Sequence, residues 1–173
     1  KIFNTGKIEL PGIQSEEILE RLLKYIVNIL KKECNYKDIT YVPEKTETVL
    51  INSNFNCGFY INRDTLYDTL RNKYRLHTLY DPCSYPGIMS KFYYNTRLDK
   101  SLQTGIKSED ETEKVISFMI FRTGSVLIVG KCIEDELIQI YKFLKNMLEI
   151  EYENISQGCV NDEGSNVKQK SKN

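Results

Sequence analysis

The stretch IFNTGKIELPGIQSEEILERLLKYIVNIL, residues 2–30, returns without a gap as IFRTGSVLIVGKCIEDELIQIYKFLKNML at residues 120–148. At a constant offset of 118, ten of the 29 aligned positions are identical: Ile2, Phe3, Thr5, Gly6, Gly12, Glu16, Leu19, Lys24, Asn28 and Leu30 match their second-copy counterparts. Each copy reads as a strand, a tight Thr-Gly turn, a second strand closed by glycine, and an acidic start to a long amphipathic helix. A duplicated strand-strand-helix unit predicts a molecule of two pseudo-symmetric halves.

Local signals fill in the rest of the chain. In the first copy residues 1–3 and 8–11 form the hairpin, and Ser15 caps a helix whose first turn carries Glu16 and Glu17 at the positive end of its dipole. Its apolar stripe is Ile18, Leu19, Leu22, Leu23, Ile26, Ile29 and Leu30, and Lys31 and Lys32 suit its C-terminus. The polar stretch 33–47, with Pro43, is a connector. A strand follows, then Asn62 caps a short helix over 64–73 with Leu66 and Leu70 turned inward, and a loop leads to a strand over 87–94. Residues 96–113 are polar, contain Gly105 and the run Glu109-Asp110-Glu111, and read as a flexible insertion; from Asn154 onward periodicity is lost, which reads as a disordered tail. The expected organisation is the C-terminal part of one repeat plus connector at 1–46, a second repeat at 47–150 with the insertion at 96–113, and a tail at 151–173.

The second hairpin carries a chemical signal. With Thr123-Gly124-Ser125 as the loop and Gly124 at positive φ, Phe121 falls across from Leu127 and Met119 across from Val129; the same register sets Glu9 opposite Phe3. The other face holds Ile116, Phe118, Ile120, Val126 and Ile128. Both faces are therefore apolar, but the helices in the sequence suffice to cover one. The uncovered face is an exposed apolar patch, the usual mark of a binding site. On an earlier strand Asn52, Asn54 and Asn56 alternate to one face while Ile51, Phe55 and Cys57 take the other.

Composition excludes several classes of function. A formal net charge of zero argues against a polycation wrapping phosphates and leaves room for local basic rims. No apolar run has membrane length and no signal peptide opens the chain, so the expectation is an intracellular protein without membrane contact. The five cysteines are odd in number and contain no C-x-x-C pair, which predicts free thiols, no zinc site and no disulfide framework. His77 is the only histidine and reads as a polar loop residue, with no nucleophile at a catalytic spacing. The acidic runs fit helix starts and solvated loops, and no phosphate-binding glycine motif is present, so neither an enzyme nor a metal or cofactor is expected. Abundant Asn, Lys, Ile and Tyr with no Trp points to AT-rich coding sequence, as in a protist or a large DNA virus.

Four segments, in order, carry a family resemblance. MIFRTGSVLIVG (119–130) fits the pattern Φ-I-F-x-[ST]-G-K-Φ-x-Φ-[TV]-G except for Ser125 at the lysine position, and IFNTGKIELPG (2–12) fits its first-repeat equivalent. YDPCSYPGIMSKF (80–92) is similar to Y-x-P-x-x-[FY]-P-G-Φ-Φ-x-[RK], and VLINSNFNCGFYI (49–61) to I-x-N-Φ-x-x-x-Φ-x-Φ. These segments, spanning about residues 1–149, resemble the conserved core of the TATA-binding protein family. The resemblance implies an α+β fold of the saddle type: a curved antiparallel sheet with helices on the convex face and two pseudo-symmetric repeats. The first repeat is incomplete, because its first strand and helix would precede Lys1.

By the same resemblance the protein is a transcription initiation factor that binds and bends double-stranded, AT-rich promoter DNA through the minor groove. Phe121 and Tyr85, the latter where the family usually has Phe, correspond to wedge aromatics of the second repeat, and Phe3 to one of the first. Met119, Leu127 and Val129 line the DNA-facing sheet, with Val129 in place of the usual threonine. An asparagine of the first strand, Asn52 or Asn54, meets the groove floor. Lys91 matches a phosphate contact, Arg122, Thr123 and Thr5 lie at hairpin turns near the backbone path, and Lys7 matches a family lysine. Glu9 and Pro11 depart from the small or hydroxylated residues of the first repeat. Implied partners are a B-type general initiation factor and RNA polymerase, with Lys24, Lys31, Lys32, Lys142 and Lys145 in the recruiting surface, and the implied location is the nucleus, or a viral factory or virion. The rival readings are an adaptor whose sheet face holds protein, and a helix-grip module of a larger nucleic-acid enzyme.

Overall fold

A computed structural model describes residues 1–108 and 113–158. The acidic run Glu109-Asp110-Glu111, Cys159 and the rest of the expected tail lie outside the described residues. The chain divides into two compact units, one over Lys1–Glu47 and one from Thr48 onward.

In the first unit Ile2 bridges Ile8 across a tight hairpin, with Phe3 donating its amide to Lys7 (2.9 Å) and Gly6 donating to Phe3 (3.0 Å). Helix α1 spans Glu16–Glu33. Ser15 caps it as the sequence predicts, its hydroxyl accepting from the Ile18 amide at 3.3 Å. Glu16 and Glu17 fill the first turn, Lys31 and Lys32 the last, and Leu23 is buried. A short 3₁₀ turn, Pro43–Lys45, lies in the connector.

The second unit runs β1 (Ile51–Asn56), β2 (Tyr60–Ile61), α2 (Arg63–Asp68), β3 (His77–Leu79), β4 (Gly87–Asn95), β5 (Glu113–Phe121), β6 (Ser125–Gly130), α3 (Glu134–Ile150), α4 (Tyr152–Ile155) and β7 (Ser156–Gln157). Its main sheet is five-stranded and antiparallel, in the order β1-β6-β5-β4-β3, and β2 pairs with β7 as a separate ribbon. Strict alternation decides what is inside. Ile116, Phe118, Ile120, Val126, Ile128, Ile88 and Phe92 point to one face and meet Leu66 and Leu70 together with Ile140, Leu144 and Met147 in a single core. Each such side chain contributes about 1.5–3 kcal/mol by leaving water. Helix α3 starts with Glu136 folded back, its carboxylate accepting from the Ile133 amide at 3.1 Å and from Lys114 at 2.6 Å.

Several local expectations need correction. In the second hairpin Met119 pairs with Leu127, and Ile120 with Val126, so the loop is Arg122-Thr123-Gly124, one residue earlier than the sequence reading. Gly124 sits at φ 81 and donates to Phe121 (3.0 Å), so glycine is the last loop residue, and the strand resumes at once. The first hairpin has the same turn, Gly6 at φ 81, and therefore pairs Glu9 with Lys1 through their backbones, not with Phe3. Moving the loop by one residue moves the pairing by two, so every side chain keeps its predicted face.

The helix expected over 64–73 is α-helical over Arg63–Asp68 and closes in a π-turn over Thr69–Lys73, where Tyr74 donates to Thr69 at 3.1 Å. Asn62 caps it, accepting from Thr65. Residues 96–108 are held to the sheet rather than loose: the Gln103 side-chain amide pairs with both backbone groups of Asn95 (3.0 and 2.7 Å), and Gly105 bridges Tyr93. Order also continues past Asn154. Ile155 is fully buried and the β2–β7 pair follows it.

Glu151, at the end of α3, is buried and accepts from Lys73 (2.6 Å) and the Tyr74 hydroxyl (2.9 Å). The Lys73 bond and the Tyr74 bond hold its carboxyl below the ordinary range, while burial and the bond to Glu151 push the Tyr74 phenol up to about 12. A carboxyl depressed on folding stabilises above its unfolded value of about 4.3, and that contribution fades as pH falls through the lower folded value. Glu151→Gln should therefore lower the urea midpoint at neutral pH, with the gap to wild type closing below about pH 4; a gap unchanged in acid would contradict this. Phe118→Ala should cost about 3–5 kcal/mol in the same experiment.

Candidate functional site

The sheet face opposite the core has no helix over it among the elements of its unit, and the observed register arranges it in rows. One row runs Asn54–Leu127–Met119–Met89–Leu79 and the next Asn52–Val129–Ser117–Lys91–His77. Leu79 is 57% exposed, Val115 48% and Met89 38%, with Met119, Leu127 and Val129 half-buried. This is the uncovered apolar face that the hairpin pattern predicts, here bordered by amides at the β1 edge and by His77 and Lys91 at the β3–β4 edge.

The aromatic end of the face is built from three segments. The Tyr85 and Phe121 rings meet at 5.9 Å with an interplanar angle of 61°, and the Tyr85 hydroxyl donates to Met119 Sδ at 3.6 Å. Gly87, opposite Phe121 in the β4–β5 pair, leaves the space they need, since a Cβ there would stand 3.0 Å from both rings. Tyr85 is presented by a turn that Asp81 organises. One carboxylate oxygen accepts from the Cys83 amide (3.1 Å), the other from the Ser84 hydroxyl (2.5 Å), and Tyr85 donates its amide to the Asp81 carbonyl (2.9 Å). The Ser84 and Cys83 bonds hold the Asp81 carboxyl below its ordinary value. Arg63 anchors the far end of the turn on the Pro86 carbonyl and lies over the Tyr80 ring.

The three asparagines of β1 share this face but not one role. Asn56 is committed: its amide nitrogen donates to the Thr123 carbonyl and the Ser125 hydroxyl, and its oxygen accepts from Gly58, which locks the hairpin turn to β1. Asn52 and Asn54 are exposed, with no hydrogen-bond partner for their side chains among the described residues. Lys91 is exposed on the face, and no carboxylate pairs with it among the described residues. Thr123 and Arg122 lie in the turn, Thr123 against Ser125 and Arg122 over the Tyr60 ring at 5.6 Å.

Phe3, Thr5 and Lys7 belong to the first unit. There Lys1 lies over the Phe3 ring (4.7 Å), Thr5 is an exposed turn residue, and Lys7 faces Glu9 at 3.8 Å. Sequence reasoning missed His77, Leu79 and Met89 as members of the face. His77 is a strand residue, not a loop residue; the signal was the polar-Thr-apolar alternation of His77-Thr78-Leu79, too short to stand out. No cluster of three or more metal-ligating side chains exists among the described residues.

The Asp81 turn yields a test of the site's construction. Asp81→Ala should speed proteolytic cleavage within 81–86 and weaken the near-ultraviolet circular dichroism of the Tyr85–Phe121 pair, while far-ultraviolet spectra stay unchanged. In wild type the same loosening should set in as acid protonates Asp81. A loop equally resistant in the variant would show that Arg63 and packing alone hold Tyr85.

No family model matches the chain, and no curated protein sequence does. Among solved structures the chain is similar to Methanococcus jannaschii TBP, with a TM-score of 0.51 and 24% identity over 86% of this chain and 70% of that one. The chain thus has the α+β fold of the TATA-binding protein, with the amide-bordered apolar face on the side of the sheet away from α2 and α3.

Proposed function

We propose that this protein is a transcription initiation factor that binds the minor groove of AT-rich promoter DNA on its open sheet face and bends it. The observation that carries the reading is the row Asn54–Leu127–Met119–Met89–Leu79, exposed or half-buried beside the Tyr85–Phe121 pair. Such a surface suits a groove whose A·T floor offers only adenine N3 and thymine O2 acceptors. The free amides of Asn52 and Asn54 supply donors to those atoms, and apolar side chains fill a groove that has little else to read. Phe121 and Tyr85 are the wedges. Unstacking a base step costs about a few kcal/mol, offset by the contact area a bent duplex gains. To move, the Tyr85 hydroxyl gives up its bond to Met119 Sδ, a weak acceptor.

Phosphate contacts fix register without reading sequence, and Lys91, exposed beside β3, supplies one. Phe3, Thr5 and Lys7 extend the reading to the first unit, where Glu9 opposes contact with an anionic groove. Protein partners, a B-type general initiation factor and RNA polymerase, are recruited through Lys142 and Lys145 on α3 and, in the first unit, through Lys24, Lys31 and Lys32 on α1. A nuclear or viral-factory location follows from that role.

Fluorescence-transfer bending and gel-shift assays on AT-rich and GC-rich duplexes test the reading. Wild type should bind and bend AT-rich duplex in a salt-sensitive way, and Phe121→Ala should keep its fold but lose bending and at least tenfold in affinity, about 1.4 kcal/mol. Unchanged bending would remove Phe121 as a wedge. A folded wild-type protein that neither binds nor bends any duplex would favour the adaptor reading, in which the face holds a protein segment.

A further inference from the structure

We propose that His77 and Lys91 form a phosphate-binding edge of the open face, and that His77 makes the grip on DNA tighter as pH falls. The inference rests on the DNA reading above and adds a residue and a regulation to it. His77 and Lys91 are direct cross-strand partners, and both are exposed. Thr78 between His77 and Leu79 is buried and accepts a hydrogen bond from Ser90 at 3.0 Å, which fixes the strand so that its neighbours face outward. The His77 Nδ1 lies 3.3 Å from the Tyr93 hydroxyl, orienting the ring and leaving Nε2 without a partner among the described residues.

The charge pattern points the same way. Lys73, Lys100 and Lys114 are each neutralised by a carboxylate at 2.6 or 2.7 Å, whereas Lys91 is not. On β4 His77 meets Lys91 and Tyr93, with the exposed cation Arg75 two residues before it; among the described residues the acidic one in these rows, Glu113 on β5, stands opposite Asn95 two rows further on and accepts from the Ser108 amide and hydroxyl (2.8 and 2.6 Å). A second positive charge beside Lys91 is unfavourable alone and favourable with an anion between the two. Phosphate binding and proton uptake at His77 therefore reinforce each other, reciprocally. Imidazole is the side chain whose charge changes between about pH 5 and pH 8, and His77 is the only histidine of the chain.

The test is fluorescence anisotropy of a labelled AT-rich duplex with the whole chain, as wild type, His77→Gln and Lys91→Gln, over a salt series at about pH 6 and about pH 8, with circular dichroism reporting the fold. Wild type should bind more tightly at the lower pH, with a salt slope steeper by about one phosphate contact. His77→Gln should lose that difference, and Lys91→Gln should flatten the slope by about one at both pH values. Binding that ignores pH in wild type, or a pH difference that survives His77→Gln, overturns the assignment and leaves the DNA reading intact. Folded wild type with no duplex binding at either pH overturns both.

Discussion

Burial of alternate side chains from β4, β5 and β6 under α2 and α3 is the constraint on which the rest of the second unit depends. Ile88, Phe92, Ile116, Phe118, Ile120, Val126 and Ile128 can reach the helices only if their neighbours point the other way. Those neighbours, Met89, Met119, Leu127 and Val129, are apolar too. A sheet with one sealed apolar face usually turns polar side chains outward. This one keeps an apolar outer face at a cost in solvation, and an exposed apolar patch of that kind is the usual mark of a binding site.

The features around that face follow from the same geometry. The G1-type turn at Gly124 ends β5 at Phe121, and the β4–β5 register places Gly87 opposite it, so that Tyr85, delivered by the Asp81 turn, can lie against Phe121. Asn56 binds the back of the hairpin turn to β1, which sets Asn54 and Asn52 beside Leu127 and Val129. Edge chemistry differs because the two edge strands differ: β1 contributes uncommitted amides, and β3 with β4 contributes His77 and Lys91. That distribution is the one the proposed groove binding calls for, with donors for the floor, apolar bulk for contact and Lys91 where a phosphate chain would pass.

The helical side is stabilised by a different kind of interaction. Glu136 and Glu151 mark the two ends of α3, one pairing with Lys114 on the sheet and the other with Lys73 and Tyr74 beside α2. Truncating either lysine would leave a buried carboxylate uncompensated, so these bonds tie both ends of α3 to their neighbours. The π-turn at Thr69–Lys73 brings Lys73 and Tyr74 to Glu151, and α4 with β7 closes over the same corner.

The periodicities in the sequence determined α1, α3, β5 and β6 and the face each residue of those strands occupies, the Ser15 and Asn62 caps and the duplicated Thr-Gly turn, because all of these depend on contacts within a few residues. Phe121, Met119, Leu127 and Val129 could be placed on one surface for that reason, whereas Tyr85 and Lys91 were reached through the family resemblance. Pairing register, by contrast, depends on which loop residue takes the left-handed conformation, and a slip of two leaves every local pattern unchanged; only the folded hairpin decided that Met119 meets Leu127. His77 joining Lys91, Asn56 being spent on the turn, Gln103 holding its loop to Asn95 and Ile155 entering the core are likewise contacts between distant segments. Tertiary structure decided them, since no local rule relates residues whose proximity exists only once the sheet has formed.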